Sequence, residues 1–112
     1  MAGNAPKLTV VYSQRALHTL DEIWEWNAER YSAQHAQSYT EFLKRRTEDL
    51  SSANNAGRIV PTRPGYRYVT ILRRRGGHGH VAVYEIVDST IYILNYYHTA
   101  QDWQGKLASG EW

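Results

Sequence analysis

The chain has 112 residues, room for one hydrophobic core but not for a second. It contains no cysteine, which excludes disulfides, thiolate chemistry and cysteine-ligated zinc. The net charge of +2 conceals a segregation: residues 44–75 carry nine cations against two anions, whereas anions outnumber cations on either side.

All but one of those nine cations are arginine, the side chain suited to planar, bidentate recognition of carboxylate or phosphate. A surface for an acidic partner follows; which partner does not. Four Trp, nine Tyr and one Phe join the aliphatic residues to supply a core, so wholesale disorder is not expected. No apolar run approaches the roughly 20 residues needed to span a bilayer. MAGNAPK lacks the apolar centre of a secretory signal, and a cytoplasmic protein without membrane contact is the expectation.

Residues 1–6 read as a flexible end, with one domain expected over 7–112. Lys7 to Tyr12 is a β-rich run closed by Ser13, a helix N-cap residue. Ala16, Leu17, Leu20, Ile23, Trp24 and Tyr31 then follow helical spacing, predicting an amphipathic helix to about Arg30. Its other face carries Asp21, Glu25 and Glu29, read as solvated. Ser32 is a second N-cap, and Ala36, Tyr39, Leu43 and Leu50, with Phe42 beside them, outline a second helix. Glu41 with Arg45 and Lys44 with Glu48 are spaced as supporting i, i+4 pairs. The joint is so short that the helices should form an antiparallel hairpin.

Ser51 to Gly57 reads as a loop, which Pro61 and Pro64-Gly65 prolong. Tyr66 to Arg75 is the next strand, with ambiguous facing because Val69 and Ile71 oppose Tyr68 and Leu72. After Gly76-Gly77-His78-Gly79, apolar residues at both parities mark two central strands, one through Val81, Val83, Ile86 and Val87, the other through Ile91, Ile93 and Leu94. Only Asp88, Ser89 and Thr90 separate them, which demands an antiparallel hairpin. Thr99-Ala100-Gln101-Asp102 matches a capping box, and Trp103 and Leu107 would anchor a last helix before Trp112. The order is β-α-α-β-β-β-α: a small α+β domain with a helical hairpin on a mainly antiparallel four-stranded sheet.

His98, at a strand end beside Tyr97, is either a general acid/base or a histidine bonding its neighbouring loop; the second reading is preferred. His78 and His80 lack a third ligand, so no metal and no cofactor are expected. Arg73-Arg74-Arg75 reads as a strand end, of which only two side chains can share a face. Arg67 suits a structural contact to a carbonyl or carboxylate. Gln101 and Asp102 are read first as cap residues and Trp103 as core.

Taken together, several short stretches resemble the RelE/ParE superfamily of type II toxins, on its ParE side. They are the Val10–Ser13 junction, Ala16 with Leu20 and Ile23, Ser32-x-x-x-Ala36-x-x-Tyr39, Pro64-Gly65-x-Arg67, Tyr84-x-Ile86, and Ile93 through His98 to Gln101-Asp102-Trp103. The resemblance implies a growth-inhibiting toxin in a hetero-oligomer with a cognate antitoxin, poisoning DNA gyrase without catalysis. Arg67, Arg73, Arg74, Arg75, His98, Gln101, Asp102 and Trp103 would then be target- or antitoxin-binding residues. The alternative is a ribosome-dependent mRNA endonuclease of RelE type using Arg67, Arg73, Tyr97 and His98. In such RNases a strand arginine precedes the apolar-Tyr segment, where this chain has Val81. A third reading, a plain nucleic-acid-binding module, predicts a steep salt dependence, about −0.9 in log–log slope per phosphate neutralised.

Overall fold

The computed structural model describes residues 7–53 and 56–110; the expected flexible end at 1–6 and Trp112 lie outside them. The elements are β1 (Thr9–Tyr12), α1 (Gln14–Arg30), α2 (Ala33–Glu48) with a 3-10 turn at Asp49–Ser51, β2 (Arg58–Val60), β3 (Arg63–Ile71), β4 (His80–Val87), β5 (Thr90–His98) and α3 (Trp103–Ala108). This is the expected α+β order with one addition. Three residues assigned to a loop, Arg58 to Val60, form a fifth, edge strand. A strand this short has no readable alternation, and its bulged pairing to β3 is settled only when β3 is in place.

The sheet order is β1-β5-β4-β3-β2, with β1 parallel to β5 and the remaining pairs antiparallel. Both helix caps form as the residues suggest. Ser13 Oγ accepts from the Ala16 amide and donates to the Leu94 carbonyl, so one hydroxyl caps α1 and ties it to β5. Ser32 Oγ accepts from the His35 amide.

The stripe that α1 buries is Ala16, Leu20, Ile23 and Asn27, whereas Leu17 and Tyr31 are exposed. Asn27 takes the place expected for a hydrophobe because its amide donates to the Ile23 carbonyl, satisfying a buried polar group. Helix α2 does the same with Thr40 and Thr47, whose hydroxyls donate to the Ala36 and Leu43 carbonyls. The two predicted ion pairs on α2 do not close. Glu41 accepts from Gln37 and Glu48 from the Tyr12 hydroxyl, because both carboxylates have nearer neutral donors.

The sheet is buried on both faces, as central strands with apolar residues at both parities require. On one face Leu20, Ile23, Leu43, Ile71, Ala82, Tyr84, Ile91, Ile93 and Tyr96 form the core under α1 and α2. On the other, Val60, Val81, Val83, Tyr97, Trp103 and Leu107 form a smaller core under α3. This settles the facing of β3: Val69 and Ile71 turn to the helical hairpin, Tyr66 and Tyr68 to α3.

Two local expectations are corrected. Strand β3 ends at Ile71, so Arg73 to Arg75 lie in the bend and turn that follow, and strand alternation does not govern them. Helix α3 is capped by Asp102, whose carboxylate accepts from the Gly105 amide, and not by Thr99. The Thr99 hydroxyl is taken instead by the Gly79 amide, while the Thr99 amide donates to the Gly79 carbonyl. A side chain at Gly79 would run into the Ile71 carbonyl, so only glycine lets the turn come this close.

Thr47 Oγ1 donates to Leu43, so the buried Tyr96 hydroxyl donates to Thr47 at 2.7 Å and joins the helical layer to the sheet. Tyr96→Phe should lower stability by about 1 kcal/mol. Tyr12→Phe, which loses only an exposed bond to Glu48, should change it by less than about 0.5 kcal/mol. Urea unfolding of both variants checks the order, and an equal or reversed ranking would show that the Thr47 bond does not matter.

Candidate functional site

At one end of the central hairpin, β4 begins with His80 and β5 ends with His98, and the register places them directly opposite each other. Their rings meet edge to face at 5.3 Å between centroids. The exposed His78 comes within 5.6 Å of His98 from the glycine turn, which the Gly79–Thr99 bonds hold against the end of β5. From α2, the Tyr39 hydroxyl reaches His80 Nδ1 at 2.6 Å. Beside the His80–His98 pair lies a cavity of about 220 Å³, with Thr19 and Glu22 of α1 across from it and Gln101 and Lys106 at its α3 end.

Local bonds fix much of this geometry. His98 Nδ1 accepts from the Ala100 amide at 3.0 Å, and Gln101 Oε1 accepts from the His98 amide at 2.7 Å. Thr19 Oγ1 donates to Asn95 Oδ1 at 2.6 Å. Burial lowers the His80 pKa to about 4, with His98 adding to the effect, so this imidazole is neutral at ordinary pH. Burial pushes the Tyr39 phenol up to about 12, against the pull of the Arg73 guanidinium.

The residues singled out in the sequence do not all meet. Arg73 is turned to α2 beside Tyr39, its Nη2 donating to Ser38 Oγ at 2.6 Å and its guanidinium 5.7 Å from the Phe42 ring. Arg74 and Arg75 are exposed. Arg67 lies four residues away along the sheet, opposite Tyr84, roughly 13 Å at ordinary strand rise. Its Nη1 donates to the Gly57 carbonyl, the structural contact expected of it. Tyr97 packs against Trp103 in the α3-side core, where burial pushes its phenol up. Trp103 is core, with Tyr68 at 4.7 Å.

His80, Tyr39, Thr19, Glu22, Asn95 and Lys106 were not anticipated as neighbours of His98. One signal existed: His80 and His98 are nearly symmetric about the hairpin turn at Asp88-Ser89. Among the described residues, no group of three His, Asp or Glu side chains stands where it could hold a metal ion.

The sequence profile of the family described as "ParE toxin of type II toxin-antitoxin system, parDE" matches residues 10–103. The chain belongs to the ParE toxin family. Two solved structures share its fold. One is the chromosomal ParDE toxin–antitoxin system from P. aeruginosa, at 18% identity and a TM-score of 0.71, over 82% of this chain and 96% of that one. The other is the E. coli toxin RelE, a double-arginine mutant in the free state, at 12% identity and a TM-score of 0.63, over 93% and 96%. No curated protein matches the sequence. Among the described residues of this ParE-family toxin, no helix is long and apolar enough to cross a membrane.

The unfolded chain protonates His80 near the ordinary imidazole value of about 6.5, the folded chain only near 4. Between those limits the unfolded state binds more protons. The stabilisation is therefore complete above pH 6.5 and drains as pH falls to about 4, by up to about 3 kcal/mol. Urea titrations across that window should show the loss, and His80→Gln should flatten it. A wild-type profile that is already flat would refute this placement of His80.

Proposed function

We propose that this ParE-family toxin arrests growth by binding DNA gyrase and blocking its resealing of DNA, with no covalent chemistry of its own. In the cell it is held inactive by a cognate antitoxin in a hetero-oligomer, and residues 7–112 act as one cytoplasmic domain. Arg73, Arg74 and Arg75 form the exposed basic part of its binding surface, to which His98, Gln101 and Asp102 also belong.

The observation that carries this reading is the failure of an RNase constellation to converge. Cleaving RNA requires a base for the 2′-hydroxyl, an acid for the leaving oxygen and cations facing the phosphate, all within a few ångströms. Here the strand position where RNase relatives keep an arginine is Val81, 3% exposed in the α3-side core. Arg67 is engaged with the Gly57 carbonyl, and Tyr97 is buried against Trp103. Arg73 is turned to Ser38 and Phe42 of α2, and His98 stands with His80 instead, so the four expected groups do not converge on one phosphate.

Expression without antitoxin should cause chromosome breaks and an SOS response while messenger RNAs stay intact, and purified toxin should make gyrase accumulate cleaved DNA. Codon-positioned mRNA cuts without breaks would replace gyrase with the ribosome as target. Arg74→Glu combined with Arg75→Glu should weaken antitoxin or gyrase binding at least about tenfold while the unfolding midpoint holds. Affinities unchanged in both assays would remove these arginines from the binding surface.

A further inference from the structure

The cavity beside His80 and His98 has a polarity that none of its residues shows alone. His98 Nδ1 accepts from a backbone amide, which can only donate, so the neutral ring carries its one hydrogen on Nε2. At His80, Nδ1 faces the Tyr39 hydroxyl at 2.6 Å. That hydroxyl has no other hydrogen-bond acceptor among the described residues, so it donates, and the His80 hydrogen is likewise assigned to Nε2. Gln101 uses its carbonyl oxygen on the His98 amide, leaving its N–H₂ group. Asn95 uses its carbonyl oxygen on Thr19 and sets its N–H₂ group beside the Tyr97 hydroxyl, with one of its two N–H bonds to spare. Lys106 adds an ammonium.

Each of these four side chains thus has its acceptor atom occupied by a bond within the fold, and each has donors left over. The one carboxylate in the wall, Glu22, lies 3.9 Å from His18 on the outer surface of α1, and 65% of its side chain is exposed. A wall of donors with one cation calls for an acceptor carrying negative charge.

We propose that this cleft is a carboxylate-binding site, taking an aspartate or glutamate side chain or a chain terminus from a protein partner. The proposal does not depend on gyrase being the target. A carboxylate is favoured over a phosphate on two grounds. No arginine lines the cleft to meet a dianion with a bidentate fork, and most of its donors are neutral N–H groups, which match a single delocalised charge. The cavity of about 220 Å³ also admits one acidic side chain with its methylenes against Ile23 and Tyr96.

Gln101→Glu isolates the donor function. It keeps the oxygen that accepts from the His98 amide and replaces only the N–H₂ group with a negative charge. Binding is read by NMR on the full-length chain, following the His80 and His98 ring signals and the Gln101 side-chain amide. The probes are acetate, N-acetylglutamate amide, N-acetylglutamine amide and inorganic phosphate. Acetate and the glutamate amide should move these signals saturably, and the neutral glutamine amide should not. In Gln101→Glu the apparent Kd should rise about tenfold or more, with unchanged backbone shifts elsewhere. His98→Ala combined with Lys106→Ala should weaken binding similarly. No saturable shift with either carboxylate, or equal affinity in Gln101→Glu, would overturn the site. Tighter binding of phosphate than of glutamate amide would overturn its assignment to carboxylate.

Discussion

A single unpaired residue in β5 governs much of this molecule. From Val87↔Thr90 to Tyr84↔Ile93 the central hairpin keeps the register set by its two-residue turn, and from Val83↔Asn95 onward it is shifted by one, with Leu94 left over. Because a strand's faces alternate, one extra residue changes what every later side chain meets. Without the bulge His80 would pair with Tyr97; with it, His80 pairs with His98, and Val81 pairs with Tyr97 over the α3-side core. The bulge also lets Asn95 reach Thr19 on α1 although its partner Val83 packs toward α3. Its Leu94 carbonyl accepts from Ser13, so the same irregularity is fastened to the start of α1.

The sheet depends on cover from both sides. Helices α1 and α2 shield one face and α3 the other, where Val60 of the edge strand β2 joins the core, so β4 and β5 carry apolar residues at both parities without exposing them. Polar groups drawn into these cores are bonded locally: Thr40, Thr47 and Asn27 to the carbonyls four residues back, Tyr96 to Thr47. Tyr97 is the exception, its buried hydroxyl finding no hydrogen bond of good geometry among the described residues. An unsatisfied hydroxyl beside the histidine cleft is a cost that the hydrophobic packing of Tyr97 on Trp103 offsets.

Charge is divided by function as well as by sequence. Of the arginines in the basic middle third, Arg67 closes the β2 turn through Gly57, and Arg73 braces α2 through Ser38 and Phe42. Arg74 and Arg75 remain exposed beside the histidine end of the sheet. Arginine tolerates the first kind of use because its planar donor fork can meet a carbonyl while its stem packs. A count of cations therefore overstates the surface available to a partner, and the proposed basic binding surface draws on those left outward.

The sequence by itself determined the α+β order, both serine-capped helices, the tight central hairpin and the double-sided burial of its strands, because each is written in local spacing or in composition. It also carried the likeness to the ParE toxins. Strand β2, the facing of β3, the true cap of α3 and the end of β3 before Arg73 were decided only in the tertiary structure. The facing of β3 depends on the two cores and the cap of α3 on Gly79, both built from residues distant in the chain, whereas β2 waits on its bulged pairing with the adjacent β3. The histidine cleft belongs to the same class. His98 was visible as a polar residue at a strand end, but a one-residue bulge set His80 opposite it and a tyrosine from α2 bonds His80, and neither leaves a periodic mark in the sequence.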